Sequence, residues 1–427
     1  MTTTQIISVI IFLITMTAIM TERVHRTVAT IAGAILLIVT HILTIEKSIS
    51  YVDMNTIGVL VGMMLFVAVV KNSGIFEYIA IKSAKIAKGK PVNIMIIFII
   101  ITAVLSAFLD NVTTVLLVGP MTIAITRILD ISPVPFLITQ IMASNIGGTA
   151  TLVGDPPNIM IGSAANLSFT DFILNTGVPA VIALIAAIIY FLILYKKHMQ
   201  VKESAIENIM KMDENKAIKD KSLMIKSIIM IILVVVAFVF HSQLGMESCT
   251  IALTAAIIML LFGGQDAEEV IISVEWSTIL FFIGLFIVVG GLEETGIIEK
   301  LANMLISATN GNMVLTMIII LWASAIISSF LDNIPFVATL IPLIITMQQA
   351  GGIDVIPLWW ALSLGACLGG NGTLIGASAN VAVSYTHLFL YFTFLYFTLF
   401  RNVYIFFIFV YIFFVFVYNF VFLVDFN

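Results

Sequence analysis

The sequence predicts an all-α polytopic membrane protein made of two inverted repeats, each with a re-entrant helical hairpin and a broken transmembrane helix. Three observations carry the prediction. The 427 residues are 61% hydrophobic and only 10% charged, against roughly 25% charged residues in soluble globular domains. Four short polar stretches interrupt long apolar runs, and backbone that leaves the helix at membrane depth has to line a protein- or water-filled cavity. A set of landmarks also recurs at one constant offset, which makes the second half of the chain a copy of the first.

A span needs about 20 apolar residues, which places helices at about 5–20, 24–44 and 56–71, followed by a basic amphipathic segment over 75–88. No charged leader with a small-residue cleavage site precedes the first of these, so it reads as a retained helix and not as a removed signal. Residues 92–109 and 112–129 are each short for a span and meet at Asp110-Asn111. A re-entrant hairpin over about 92–129, entering and leaving on one side, accounts for both facts. After Pro133 and Pro135 a half-helix runs to Asn145, and the sequence Ser-Asn-Ile-Gly-Gly-Thr-Ala-Thr-Leu-Val-Gly-Asp-Pro-Pro-Asn over 144–158 interrupts it. The second half of this broken helix, about 134–165 in all, starts at Pro156. Residues 172–195 form a full span and 196–226 a charged loop. Beyond the loop come spans at about 224–241, 250–262 and 277–292, a segment over 296–308, a hairpin over about 312–349 around Asp332-Asn333, and a broken helix over about 356–384.

The offset can be counted. Phe-Leu-Asp-Asn gives 332 − 110 = 222, the Gly-Gly pair 369 − 147 = 222 and the asparagines 380 − 158 = 222. Gly74 with Gly296, Pro120 with Pro342 and Pro135 with Pro357 keep the same spacing. A fixed period through six landmarks marks an internal duplication, with repeats over 1–195 and 227–384. If the hairpins do not cross, each half makes five crossings, an odd number, and the second half is inverted. Arg23, Arg26, the lysines from Lys71 to Lys90, Arg127 and the 196–226 loop then share one side, with Lys47 and Lys300 opposite. By the positive-inside rule that side is cytoplasmic. The chain is therefore expected in the cytoplasmic membrane as a multi-pass protein, with the lipid bilayer as its first partner. Inverted repeats whose broken helices meet near the midplane mark many secondary transporters.

Residues 385–427 depart from the pattern. They contain no Gly, Ala, Pro or Met, and 166–181 has no counterpart over 388–403. A low-complexity final helix is one reading. A frameshifted or misassembled coding end is the other, and the loss of the repeat favours it.

An acid inside an apolar hairpin is costly, so Asp110 and Asp332 are candidate functional residues. The competing role is capping, since an Asp before a helix satisfies orphan amides; the symmetric repetition favours function. Asn111, Asn333, Thr113 and Thr114 add neutral oxygens suited to a hard cation such as sodium. In the first broken helix Gly147 and Gly148 are expected to release the backbone, while Asn145, Thr149, Thr151 and Asn158 offer polar groups. Asp155 then reads as a capping acid before two prolines suited to a first helical turn, and the positive end of that new helix would face the membrane centre. The copy retains Gly369, Gly370, Asn371, Thr373 and Asn380, but Ala377-Ser378-Ala379 replaces Asp155-Pro156-Pro157. The better-defined ion site is accordingly expected beside Asp110-Asn111 and 144–158.

Phe-Leu-Asp-Asn-Val-Thr-Thr followed by the 144–158 stretch resembles the ion transporter superfamily. Within it the sequence is most similar to the branch grouping arsenite permeases, sodium/proton antiporters of the NhaD type and the P protein, over about 21–383. The resemblance implies a homodimer with a scaffold and a mobile transport domain working as an elevator. In related dicarboxylate transporters a Ser-Asn-Thr at each hairpin tip helps bind sodium and a substrate carboxylate. Here Asp110 and Asp332 stand at the serine positions and Asn111 and Asn333 at the asparagines, with Ser106 and Ser328 one turn earlier. The implied sodium ligands are Ser106, Asp110, Asn111 and Asn333. No Lys or Arg lies nearby in sequence to offset the acids, which disfavours citrate-like substrates.

The leading expectation is a secondary ion transporter, in its sharpest form a sodium/proton antiporter in which a buried acid exchanges a proton for a cation. An arsenite or other small-anion permease is the alternative, and a channel or membrane sensor a distant third. No organic cofactor and no nucleic-acid partner are expected; bound sodium ions are. The chain has no P-loop, which argues against an ATP-driven pump. His25, His41, His198, His241 and His387 are dispersed, Cys249 and Cys367 lack metal-type spacing, and no nucleophile-base constellation suggests an enzyme.

Overall fold

The computed structural model describes residues 1–380 apart from 22, 197–198, 352–353 and 374–375. The Phe/Tyr-rich stretch 385–427, the end of the second broken helix beyond 380, His198 and His387 lie outside the described residues. Among the described residues the protein is helical throughout, with no strand. Seven helices among the described residues are long and apolar enough to cross a membrane, including Thr3–Thr21, Met54–Lys71, Lys221–Leu244 and Trp276–Glu294. Helices of this length and composition make this a multi-pass membrane protein.

Helix starts repeat with the period of the sequence. Arg26–Val39 and Ser248–Phe262, Met54–Lys71 and Trp276–Glu294, Pro91–Ser106 and Met313–Phe330, Asn111–Ile128 and Asn333–Gly351, and Val134–Thr149 and Ile356–Gly369 all begin 222 residues apart (248 − 26 = 222). Packing repeats with them. Arg26–Val39 lies along Trp276–Glu294, and Met54–Lys71 along Ser248–Phe262, so each half supplies one helix to each of two matched pairs. Pro91–Ser106 packs on Val134–Thr149 as Met313–Phe330 packs on Ile356–Gly369. Lipid gives helices no hydrophobic reason to associate, so close approach and hydrogen bonds must hold them.

Local chemistry explains most helix ends. Asp53, Asp220 and Asp266 each accept two amide protons of the helix they precede. Gly74 and Gly296 precede Ile75–Ile86 and Ile297–Thr309 with φ of 82° and 72°, a left-handed conformation that glycine adopts without steric cost. The 24–44 span expected from hydropathy is shorter in the structure. It ends at Val39, because His41 turns left-handed (φ 57°) and the Ile42 and Leu43 amides fold back onto the Leu37 carbonyl.

The charged 196–226 segment is more ordered than a loop. It contains Glu203–Met210 and the 3-10 turn Glu214–Ala217, and it is tied to Ile75–Ile86 by Lys85–Glu214 (2.5 Å) and Lys219–Glu77 (3.4 Å). Lys47 and Lys300, assigned to the other side, meet Glu294 and Gln5 respectively. Gln5 also donates to Thr295 O, so these contacts cluster together around one end of Trp276–Glu294.

Candidate functional site

Helices Pro91–Ser106 and Asn111–Ile128 are joined by a short link and pack on each other, as do Met313–Phe330 and Asn333–Gly351; the tips of the two pairs come together where Asn111 and Asn333 both reach Asp155. Asp110 caps the second helix of its pair, accepting from the Thr113 amide at 2.8 Å. Asp332 caps less tightly, accepting from the Ile334 amide at 3.2 Å. Both therefore fill the capping role the sequence allowed; Asp110 also lines the central cavity, while the second oxygen of Asp332 meets Ser378 and Arg26.

Between the tips sits Asp155, 1% exposed. Its carboxylate accepts from Asn111 Nδ2 at 3.4 Å and from Asn333 Nδ2 at 3.3 and 3.4 Å. Although Asp155 occupies the position before Pro156–Ala165, its side chain makes no capping bond there. The expected capping role is thereby corrected, for a physical reason. Pro156 and Pro157 have no amide protons, and the next amide, Asn158 N, donates to the Asp155 main-chain carbonyl at 2.9 Å, so the carboxylate is free to receive one amide from each tip.

Side-chain amides extend from this acid through the interior. Asn111 Nδ2 also reaches Asn145 Oδ1 (3.1 Å), and Asn145 Nδ2 is shared between Asn371 Oδ1 (2.9 Å) and Asn380 Oδ1 (3.0 Å). Asn158 donates to the carbonyls of Gly148, Thr149 and Thr151, and Asn380 to those of Gly370 and Thr373. Asn158 Oδ1 in turn accepts from Ser363 Oγ at 2.7 Å. Every one of these asparagines is buried, and buried amides require such partners.

Several candidates form the frame behind the cavity. Ser106 Oγ donates to Ser144 O and Ser328 Oγ to Ala366 O, at 2.7 and 2.8 Å. Thr151 and Thr373 hold the Ala107 and Ser329 carbonyls, and Thr149 bonds back to Asn145 O. Thr113 takes part through its backbone and lines an adjoining recess, while the buried Thr114 hydroxyl has no hydrogen-bond partner among the described residues. The glycines call for a second correction. Val134–Thr149 stays helical through Gly147 and Gly148, and Ile356–Gly369 runs to Gly369 with Gly370 as its cap. A Cβ on Gly147 would lie 2.1 Å from Ala103 O and one on Gly369 2.6 Å from Ala325 O. Missing side chains thus permit backbone contact, and the helix opens later, over 150–155.

Two residues that sequence reasoning did not assign to the site complete it. Arg26 Nη1 lies 3.5 Å from Asp332 Oδ2 and 2.5 Å from Ser378 Oγ, and Nη2 donates to Thr278 at 3.2 Å. Thr278 donates to Glu275 at 3.1 Å. The expectation that no basic residue offsets the tip acids fails for Asp332, because the offsetting arginine comes from 306 positions away. Its only early sign was an arginine beside the start of an apolar run. Arg26, Asp110, Asn111, Asp155, Glu275 and Asn333 line a cavity of about 20 Å³, room for about one water-sized species. Met64 and Glu275 also border a recess of about 340 Å³ that extends to Lys71, Gln265 and Glu269. Among the described residues no three or more His, Cys, Asp or Glu side chains converge closely enough to hold a metal ion between them.

Comparisons with known proteins point one way. The model of the citrate transporter family, CitMHS, matches residues 16–365. An uncharacterized transporter of Mycobacterium tuberculosis is 43% identical over 386 residues, 89% of this chain and 90% of that protein. The 46 kDa membrane protein of Mycobacterium leprae is 38% identical with the same coverage. The P protein of Sus scrofa is 32% identical over 84% of this chain and 52% of its own length.

Proposed function

The chain belongs to the citrate transporter family and is a membrane transporter, and from that premise we propose that it is a secondary transporter exchanging sodium for protons at Asp155. One observation carries the reading. A single buried carboxylate receives an amide from each of two duplicated tips, and both Asp110 and Glu275 line the same cavity. Three acids, Asp110, Asp155 and Glu275, line the cavity with one arginine, which is itself paired with a fourth acid, Asp332, so the interior attracts cations. Room for about one water-sized species suits a desolvated ion better than a tricarboxylate. Proton and sodium would compete for the Asp155 carboxylate, with Asp110, Asn111 and Asn333 supplying further oxygens.

In this reading the two halves are inverted repeats, the two helix pairs are re-entrant hairpins, and the tips and broken helices move together as an elevator within a homodimer. The common period of the helix starts supports the duplication, and the lysine and arginine distribution supports the inversion, with 196–226 cytoplasmic. A second reading, permeation of neutral arsenious acid, draws support from the amides of Asn145, Asn371 and Asn380, which offer uncharged partners.

Flux assays on the purified chain in proteoliposomes separate these readings. A sodium gradient is expected to drive proton movement, and Asp155→Asn to abolish it. Undiminished exchange in that variant would overturn the site. Arsenite or citrate uptake without sodium-driven proton movement would overturn the antiport reading.

A further inference from the structure

The two tips are identical in sequence, Phe-Leu-Asp-Asn at 108–111 and at 330–333, yet they stand in opposite electrical surroundings. Asp110 accepts from the Thr113 amide, and no lysine or arginine among the described residues lies within ion-pairing distance of it. Asp332 accepts from Ser378 Oγ at 2.6 Å and faces Arg26 at 3.5 Å. The breaks differ in the complementary sense. Where the first carries Asp155, the second carries Ala377, so the half that gained an arginine is the half without the additional acid.

We infer that the Arg26 guanidinium is a built-in cation filling the Asp332 half of a two-fold site, which leaves one exchangeable cation site, between Asp110 and Asp155. The inference rests on the antiport reading and specifies its stoichiometry. Arg26 is fastened for this role. One nitrogen bridges Asp332 and Ser378, the other holds Thr278, and the group lies 5.2 Å from the centre of the Phe281 ring. A guanidinium cannot give up its proton in a protein, so its charge is permanent, and its planar fork meets several acceptors at once. Arg26 belongs to Arg26–Val39, which packs on Trp276–Glu294, whereas Asp332 and Ser378 belong to the second tip and the second break. The cation thus reaches the site from a different structural group, much as a diffusing ion would, but it cannot leave.

The test is the sodium dependence of proton movement in proteoliposomes containing the full chain. Wild type is expected to follow a hyperbolic curve for one cation. Arg26→Met exposes Asp332 to a second ion, and its curve is expected to become sigmoidal with half-saturation at lower sodium. Arg26→Lys keeps the charge and stays hyperbolic. The double variant Arg26→Met with Asp332→Asn removes both charges and returns the curve to hyperbolic, also where Arg26→Met alone has no measurable flux. A hyperbolic Arg26→Met curve overturns the inference, as does an inactive Arg26→Met that the double variant fails to rescue. Loss of citrate uptake in Arg26→Met with an unchanged sodium curve overturns it too, and assigns the arginine to a substrate carboxylate. A wild type that lacks sodium dependence overturns the antiport reading, and this inference with it.

Discussion

The first break, 150–155, and the second, beyond Gly370, share a frame and differ in charge. Thr151 holds the Ala107 carbonyl as Thr373 holds that of Ser329. Asn158 and Asn380 gather the carbonyls released where their helices end, and Ser106 and Ser328 tie each tip's first helix to the neighbouring broken helix. Within that common frame Asp155 has become Ala377, Pro156 has become Ser378, and Asn145 corresponds to Cys367. Backbone hydrogen bonds at membrane depth cannot be left unmade, so both copies need the same frame. Side chains facing the cavity carry no such obligation, and there the copies diverge.

Experiments can press on this contrast, beginning with the largest effect. Asp155→Asn removes the charge that only the first break supplies, and coupled flux is expected to fall about 100-fold or more, on the scale of disrupting a buried charged group. Proteoliposome flux measures it. Frame positions should instead act through stability. Gly147→Ala forces a Cβ to 2.1 Å from a backbone oxygen, against 2.6 Å for Gly369→Ala. Overpacking of that kind costs about 3 kcal/mol at the first site and less at the second; thermal unfolding in detergent would show the order, and equal shifts would break it. Asn158→Ala frees three carbonyls and strands Ser363, while Asn380→Ala frees two carbonyls and leaves Asn145 Nδ2 with Asn371 as its acceptor. Losses of about 2 kcal/mol and a smaller value are expected, since buried acceptors left unmatched are costly.

The smallest effect lies outside the frame. Lys85 hydrogen-bonds to Glu214 and holds its carboxyl below the usual glutamate value. Its contribution to docking of 203–219 is therefore complete above that ordinary value and fades as the pH falls through the lowered one. Amide protection factors over 203–219, with the intrinsic pH dependence of exchange divided out, should stay constant through neutral pH and fall only in acid, and Glu214→Gln should flatten that dependence.

Much of this was legible in the chain. The period of 222 fixes where helices begin, because the same caps, prolines and apolar runs recur at the same spacing. Asp110, Asn111, Asp332 and Asn333 stand out because polar residues in apolar runs are conspicuous. Arg26 and Glu275 were not legible, since each flanks an apolar helix at a position where a charged residue ordinarily marks the membrane boundary. Only the pairing of Arg26–Val39 with Trp276–Glu294 carries them inward. The glycines misled because Gly-Gly is a helix breaker in isolation, whereas here a facing backbone at Ala103 rewards the missing side chain. Asp155 misled because the residue before a helix usually caps it, whereas here two prolines remove the first two amides and the third, of Asn158, turns to the Asp155 main-chain carbonyl.

The side-chain amides around Asp155 have one more consequence. Asn111, Asn145, Asn158, Asn333, Asn371 and Asn380 neither take up nor release protons across the physiological range. A change in acidity therefore leaves this lattice chemically unaltered while the carboxylates beside it respond. Under the antiport reading, positional memory and chemical sensing reside in different side chains, and the cavity would register the arrival of a proton without losing the geometry that must receive the next ion.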